Sequence, residues 1–331
     1  MTTAKAIQLR NHSSFFFGKI ASRGDFVRSS PGAKVIALID NWVTQGMELL
    51  IASPDWKNCY DSTAPIDFLF IGTRKKHAIC GALIPSADAS SRRFPFIAAT
   101  LFEADESLAF LPLSPLVLER HTNHLRALIH HAAKAADVND TLATLSEVPL
   151  EASFSQGRII ETYGQFLETT TIAMLEDALG ICDTYATPRQ MILATGYLLQ
   201  PVLTNHADPP QKGLIFPLPC DPAWFALVKA LWLDLVSTFV QRAEFELSVF
   251  SCMHFGTPKL ILTFNGTTPT IFRALLQEQT ASALLVDVSN SAWVEDCLSL
   301  DSATSKLASY LEHGNLSLRQ MVETFRQAFS G

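Results

Sequence analysis

The sequence predicts a mixed α/β (α+β) protein in which a mainly antiparallel sheet is covered by helices and two α/β parts share one chain. Three observations carry this reading. Short aromatic-rich apolar runs are joined by connections too short to link parallel strands. Amphipathic helical stretches are interleaved with those runs. Finally, 48% of the 331 residues are hydrophobic and 17% charged, below the usual charged share of about 25%, so the chain has ample core and no disorder signature.

The first run, residues 14–20, is aromatic and strand-like, with Gly18 and Gly24 bracketing a turn. Over residues 32–52, Val35, Ile36, Leu38, Ile39, Trp42, Val43, Met47, Leu49 and Leu50 gather on one half of a helical wheel. Lys34, Asn41, Thr44 and Glu48 lie opposite, so this helix should cover a sheet. Residues 66–71 and 78–84, joined by a polar turn at 72–76, have the pattern of an antiparallel hairpin, and 94–102 is a third strand. The intervening loop, 85–93, is rich in groups that hydrogen-bond their own backbone. Ser114 and Pro115 read as the N-cap and first-turn proline of a helix ending near residue 136.

Residues 141–147, 166–179 and 190–199 are expected to be short helices, and 205–211, containing Asp208-Pro209-Pro210, a linker. Beyond it the pattern gives a strand (214–218), a long helix (222–241), two strands (247–252 and 259–264), a helix (269–278) and a strand (283–288). In the long helix Trp224, Phe225, Val228, Leu231, Trp232, Leu235 and Phe239 share one face and Asp234, Ser237, Thr238 and Gln241 another, repeating the role of the Trp42 helix. Two helices, 302–313 and a serine-capped 317–329, finish the chain. The expected organisation is an α/β domain over 1–150, a helical connecting region over 151–210, and a C-terminal α/β region with terminal helices over 211–331.

A net charge of −7, with no basic run beyond Arg74-Lys75-Lys76, argues against nucleic acid as a partner. Residues 1–12 hold no apolar signal segment. The most apolar stretch, 223–240, is broken by Lys229 and Asp234 and is read as a buried helix, not a membrane insertion. The six cysteines have no C-x-x-C spacing, so reduced thiols and a cytoplasmic location are expected.

Of the groups that could carry chemistry, His121, His124, His130 and His131 are the most metal-like. They lack convergent further ligands, so a solvated helix face and no bound metal are expected. Asp25, Asp88, Arg92 and Arg93 sit in two polar loops at strand ends. Asp88 could bond the amides of its own loop with Arg92 closing that loop as an ion-pair partner; the same residues could form a protein-binding surface, or do acid/base work. No G-x-S-x-G, P-loop or G-x-G-x-x-G follows any strand. Trp42, Trp56, Trp224 and Trp232 are read as core anchors, with Trp293, near Glu295-Asp296, less bound to the core.

Several pieces recur together: Gly18-Lys19-Ile20, Gly24-Asp25-Phe26, Asp40 with Trp42, Trp56 with Tyr60, and Pro85-Ser86-x-Asp88-x-x-x-Arg92-x-Phe94-Pro95. On these the chain resembles the TagF (ImpM) family of type VI secretion accessory proteins over about residues 16–101. The family's GKLPxxGDFV has Ala21 in place of proline here, and its PSxDxxGRxFPL has Ser91 in place of glycine and Phe96 in place of leucine. A weaker match continues through Leu231-Trp232-Leu233-Asp234-Leu235, whereas residues 150–210 have no counterpart. The resemblance implies a cytoplasmic, non-enzymatic regulator that represses type VI secretion after translation. It also implies a forkhead-associated-domain scaffold, or a membrane-complex component, as partner, and no cofactor. Arg23, Asp25, Ser86, Asp88, Arg92 and Arg93 are the expected partner-binding residues. The alternatives are a small-molecule or metal-dependent enzyme built on the Asp25/Asp88/Arg92 loops, which would need a pocket lined by them, and a fixed structural subunit of the apparatus.

Overall fold

The computed structural model describes residues 9–30, 32–150, 156–180, 186–204, 209–241, 244–298 and 302–329; most of the expected linker and Cys182 lie outside them. The strands are β1 (Leu9–Gly18), β2 (Val27–Arg28), β3 (Ile66–Gly72), β4 (His77–Ile84), β5 (Phe96–Ala104), β6 (Gly213–Pro217), β7 (Glu246–His254), β8 (Thr257–Thr263) and β9 (Leu285–Asp287). They form one sheet in the order β2-β1-β5-β4-β3-β7-β8-β6-β9. Every pairing is antiparallel except β6 with β9. The predicted hairpin is β3–β4, with Ile66 opposite Leu83 and Ile71 opposite Ala78. The two α/β parts meet where β3 pairs with β7, Leu69 opposite Val249, so the sheet runs unbroken from one to the other.

The helices are α1 (Ala33–Ile51), α2 (Trp56–Asp61), α3 (Ser107–Lys134), α4 (Asn139–Glu147), α5 (Gln156–Thr169), α6 (Ile172–Gly180), α7 (Pro188–Thr204), α8 (Phe225–Val240), α9 (Pro269–Leu276), α10 (Glu278–Leu284), α11 (Val294–Cys297), α12 (Ser302–Leu311) and α13 (Leu318–Phe329). One face of the sheet carries α1 and α9; α3 and α8 lie side by side on the other, with α5, α7, α12 and α13 stacked over them. The sequence reading made α8 the equivalent of α1. The structure puts them on opposite faces, and α9 is the helix that packs against α1.

On α1 the predicted stripe is inside: Ile36, Ile39, Trp42, Val43, Met47 and Leu50 are buried, while Leu38 is 70% exposed. The Trp42 indole meets Phe70 and Phe272 edge-on, each at 5.5 Å, and its N–H donates to the carbonyl of Thr268 at 2.9 Å. Contact with α9 is close enough that a Cβ on Gly46 would strike the Phe272 ring.

Helix α3 begins at Ser107, a full two turns before the expected start, and contains both Pro112 and Pro115. Ser114 does not cap it; its hydroxyl donates to the Leu111 carbonyl at 2.8 Å. The early turns are held by burial. Phe110 and Leu111 are 0% and 1% exposed, and fully burying such side chains is worth about 1.5–3 kcal/mol each, comparable with the ~3 kcal/mol of an interior proline.

The helix expected over 166–179 is two, α5 and α6, divided at Thr170–Thr171, where Thr171 bridges to Ser317. Ser317 and Gln320 exchange hydrogen bonds at 3.2 and 3.3 Å, a capping box that starts α13. Asp234, expected on a polar face, is buried. Helices α5 and α13 cover it, with Tyr163 donating at 3.0 Å and Arg326 at 2.5 Å to its two oxygens. Residues 222–240 are apolar enough to cross a membrane by composition, and 67% of that window is buried inside the protein. Cys59, Cys80, Cys252 and Cys297 are free thiols, but Cys220 is disulfide-bonded, against the expectation of reduced cysteines throughout. Such pairing depends on which Cβ atoms the fold brings together, and spacing along the chain is silent about that.

Candidate functional site

The two polar loops meet at one corner of the sheet, and the reason begins with Gly18. Its φ is +136°, and a Cβ there would collide with the carbonyl oxygen of Pro95. Only glycine lets the end of β1 lie backbone to backbone against the entry to β5. The next residues turn inward: Ile20 is fully buried and Lys19 nearly so, at 8% exposure.

A cation inside a protein needs a partner, and Lys19 Nζ finds Asp88 Oδ2 at 2.9 Å. Asp88 is the hub of the corner. Its Oδ1 accepts the backbone N–H groups of Ser90 and Arg92 at 2.9 and 3.0 Å. Its Oδ2 also accepts Arg92 Nε at 2.7 Å. Burial alone pushes this carboxyl up, but the Arg92 amide, Lys19, the Arg92 guanidinium and the Ser90 amide together hold it well below the usual carboxylate range. The loop closes further through Ser91 N–H to the Asp88 carbonyl at 2.8 Å. Ser91 itself has φ +61°, the left-handed conformation that glycine would take more cheaply.

Two bonds tie this loop to the Gly24 turn: Arg92 Nη2 donates to the Gly24 carbonyl at 2.6 Å, and Ala89 N–H donates to the Arg23 carbonyl at 2.8 Å. The Trp56/Tyr60 helix is tied in as well. Tyr60 donates its hydroxyl proton to the Ser86 carbonyl at 2.9 Å and accepts from the Ser86 N–H at 2.8 Å, and burial pushes its phenol far up. Arg93 grips Asp61 of α2 with both ends, at 2.8 and 2.7 Å, its guanidinium 5.8 Å from the Trp56 ring. Arg23 reaches Asn139 at 2.7 Å.

The expected contact residues therefore divide. Asp88 is buried and Ser86 half-buried, both bonded as framework, and Arg93 is occupied by Asp61. Asp25 is exposed, and its carboxylate accepts the N–H of Phe26 at 2.8 Å. Arg92 keeps 60% of its side chain in solvent. Phe26, next to Asp25, is 43% exposed, stacked on Phe17 at 5.3 Å with 2° between ring planes, edge-on to Phe94 at 4.9 Å, and with Lys19 Nζ 4.9 Å from its centroid. Sequence reasoning had Lys19 and Phe26 in its motif pieces but not among the expected contact residues, and it did not single out Asp61. A lysine inside an apolar strand run was the available signal for Lys19.

Asp40 and Trp42 belong elsewhere: Asp40 caps nothing at the corner and accepts from Thr44 at 3.0 Å, while Trp42 is core. The histidines also disperse. His121 is buried and hydrogen-bonded to Thr100 at 2.8 Å, which in turn bonds Ser14 at 2.8 Å. His124 and His131 point to solvent. Among the described residues no group of three or more His, Cys, Asp or Glu is arranged to hold a metal. A cavity of about 350 Å³ lies between α3, α8 and the sheet, and none of Arg23, Asp25, Ser86, Asp88, Arg92 or Arg93 lines it.

A family profile described as the TagF N-terminal domain, type VI secretion system-associated, matches residues 15–148. These residues are similar to a TagF N-terminal domain. The match runs from within β1 through α4 and thus covers the whole corner around Asp88. A crystal structure of PA0076 from Pseudomonas aeruginosa PAO1 is similar at 23% identity and a TM-score of 0.35, over 41% of this chain and 63% of that one. The chain thus spans less than two thirds of that solved relative. A search of the curated proteins finds no match.

Proposed function

We propose that this protein is a cytoplasmic, non-enzymatic negative regulator of type VI secretion that acts after translation. In this reading it binds the forkhead-associated-domain scaffold of the pathway, or a component of its membrane complex, and holds it unassembled. The observation that carries the reading is the corner itself: a framework locked around Asp88 whose two loops leave Phe26, Asp25 and part of Arg92 exposed. A half-exposed aromatic ring with charged residues in the same two loops suits a protein contact, and loops held on a rigid sheet are common places for recognition. Blocking assembly requires only occupancy of a surface. The enzyme alternative wanted a pocket lined by the Asp25/Asp88/Arg92 loops, and the cavity of about 350 Å³ has other walls.

The test is a double variant, Asp25→Ala with Phe26→Ser, which touches the exposed part and spares the Asp88 framework. The variant should stay folded, with a midpoint lowered only by the loss of the Phe26 ring contacts with Phe17 and Phe94. Pull-down against the forkhead-associated scaffold should weaken by about tenfold or more, as expected for one interface hot spot, and secretion of the tube protein should rise. Unchanged binding and repression by a folded variant would remove this corner as the contact. A chain retained stoichiometrically in the assembled machine would favour the fixed-subunit reading.

A further inference from the structure

The cavity between α3, α8 and the sheet has a different character from the corner. Its floor is Leu69, Val249 and Leu260 of the sheet, and its walls include Leu118 of α3 with Phe225 and Leu233 of α8. Four charged residues also line this space: Asp67, Glu119, Arg126 and Lys229. Arg126 and Asp67 satisfy each other, with paired bonds of 3.0 and 2.6 Å, and Arg126 is further held by Asn123 at 2.7 Å. That pair is closed.

Lys229 is different. Its ammonium lies 5.7 Å from the Phe225 ring centroid, and it has no hydrogen-bond or ion-pair partner among the described residues. Burial lowers its pKa, partly opposed by the charge of Asp67, with Arg126 adding to the lowering and Glu119 opposing it. An ammonium facing an apolar cavity without an acceptor is costly, and an anion placed beside it removes that cost. The volume of about 350 Å³ sits at the small end of ligand sites, about 300–1,000 Å³.

We propose that this cavity binds a small monoanionic amphiphile, a carboxylate on an apolar body, with Lys229 as the anchoring cation. One charge is the right number. Arg126 is already committed, and Asp67 and Glu119, which both line the cavity, repel a second negative charge, which disfavours phosphates and dicarboxylates. The apolar body replaces empty space against Leu118, Phe225 and Leu233. Because α3 lies in the TagF-like N-terminal region and α8 outside it, such a ligand joins the two halves and stabilises the whole chain by mass action. This site is independent of the corner proposed as the partner contact.

Octanoate and octanol are the probes, titrated calorimetrically into the purified full chain, with the thermal midpoint followed in parallel. The expected result is saturable one-to-one binding of octanoate with a raised midpoint, and binding of octanol weaker by about tenfold or more, the size of one charge-assisted hydrogen bond. Octyl phosphate should bind no better than octanol. Lys229→Met should fold at least as well as wild type and lose the preference for octanoate; Leu118→Trp, which fills the cavity, should lose both ligands. The proposal is overturned by the absence of saturable octanoate binding at millimolar concentration, by equal affinity of wild type for octanoate and octanol, or by undiminished binding to Leu118→Trp. Should Lys229→Met fail to fold, the octanoate-to-octanol ratio on wild type decides the matter alone.

Discussion

Asp88 carries four hydrogen bonds from charged or backbone donors while fully shielded by its own loop, and this explains why an aspartate stands there. A neutral side chain could not answer Lys19 and Arg92 together. Asp88→Asn should therefore lower the thermal midpoint, by about 5 °C or more as for other buried pairs that lose one partner. The pH dependence has a definite sign. The folded carboxyl titrates well below its unfolded value of about 3.9, so its stabilisation is fully present above that value and is lost as pH falls through the folded pKa. Urea unfolding across acid pH should show wild type and Asp88→Asn converging as the pH drops. A constant gap would mean that the carboxylate charge is not what the site uses.

Helices α1 and α8 each hang on one tryptophan, on opposite faces of the same sheet. Trp42 donates to Thr268 and packs on three rings; Trp232 donates to Pro217 at 3.0 Å and stacks on Phe216 at 5.2 Å. Truncating either to alanine should cost about 3–5 kcal/mol, lost burial plus the cavity left behind. Chemical denaturation checks it, and a midpoint equal to wild type would contradict the packing described. The same scale explains why Asp234 tolerates burial on α8: its cost is met by Arg326 and Tyr163, which come from two other helices.

Across the molecule, β3 and β7 share a full register from Ile66–Cys252 to Gly72–Glu246. This ladder joins the expected 1–150 domain directly to the expected 211–331 region. Cutting at that seam would expose the ladder edge of β3 and the α3 surface packed against α8, an aggregation-prone arrangement. The full chain should unfold in a single calorimetric transition, with equal calorimetric and van't Hoff enthalpies. Two resolved transitions would show that the halves are thermodynamically separate.

The sequence by itself determined the local pieces. Alternation and short connections gave the β3–β4 hairpin, the apolar stripe gave α1, Ser317 gave the start of α13, and the Gly18, Asp25, Asp88 and Arg92 motifs gave the TagF resemblance. These are decided within a few residues by backbone sterics, capping and periodicity. Only the tertiary structure decided which face each helix covers, that Phe110 and Leu111 carry α3 through two prolines, and that Asp234 points into a helix interface. The tertiary structure also brought Lys19 to Asp88 and left Lys229 facing an apolar cavity. Burial and ion pairing depend on neighbours distant in the chain, and a single sequence does not show which of its distant residues become neighbours.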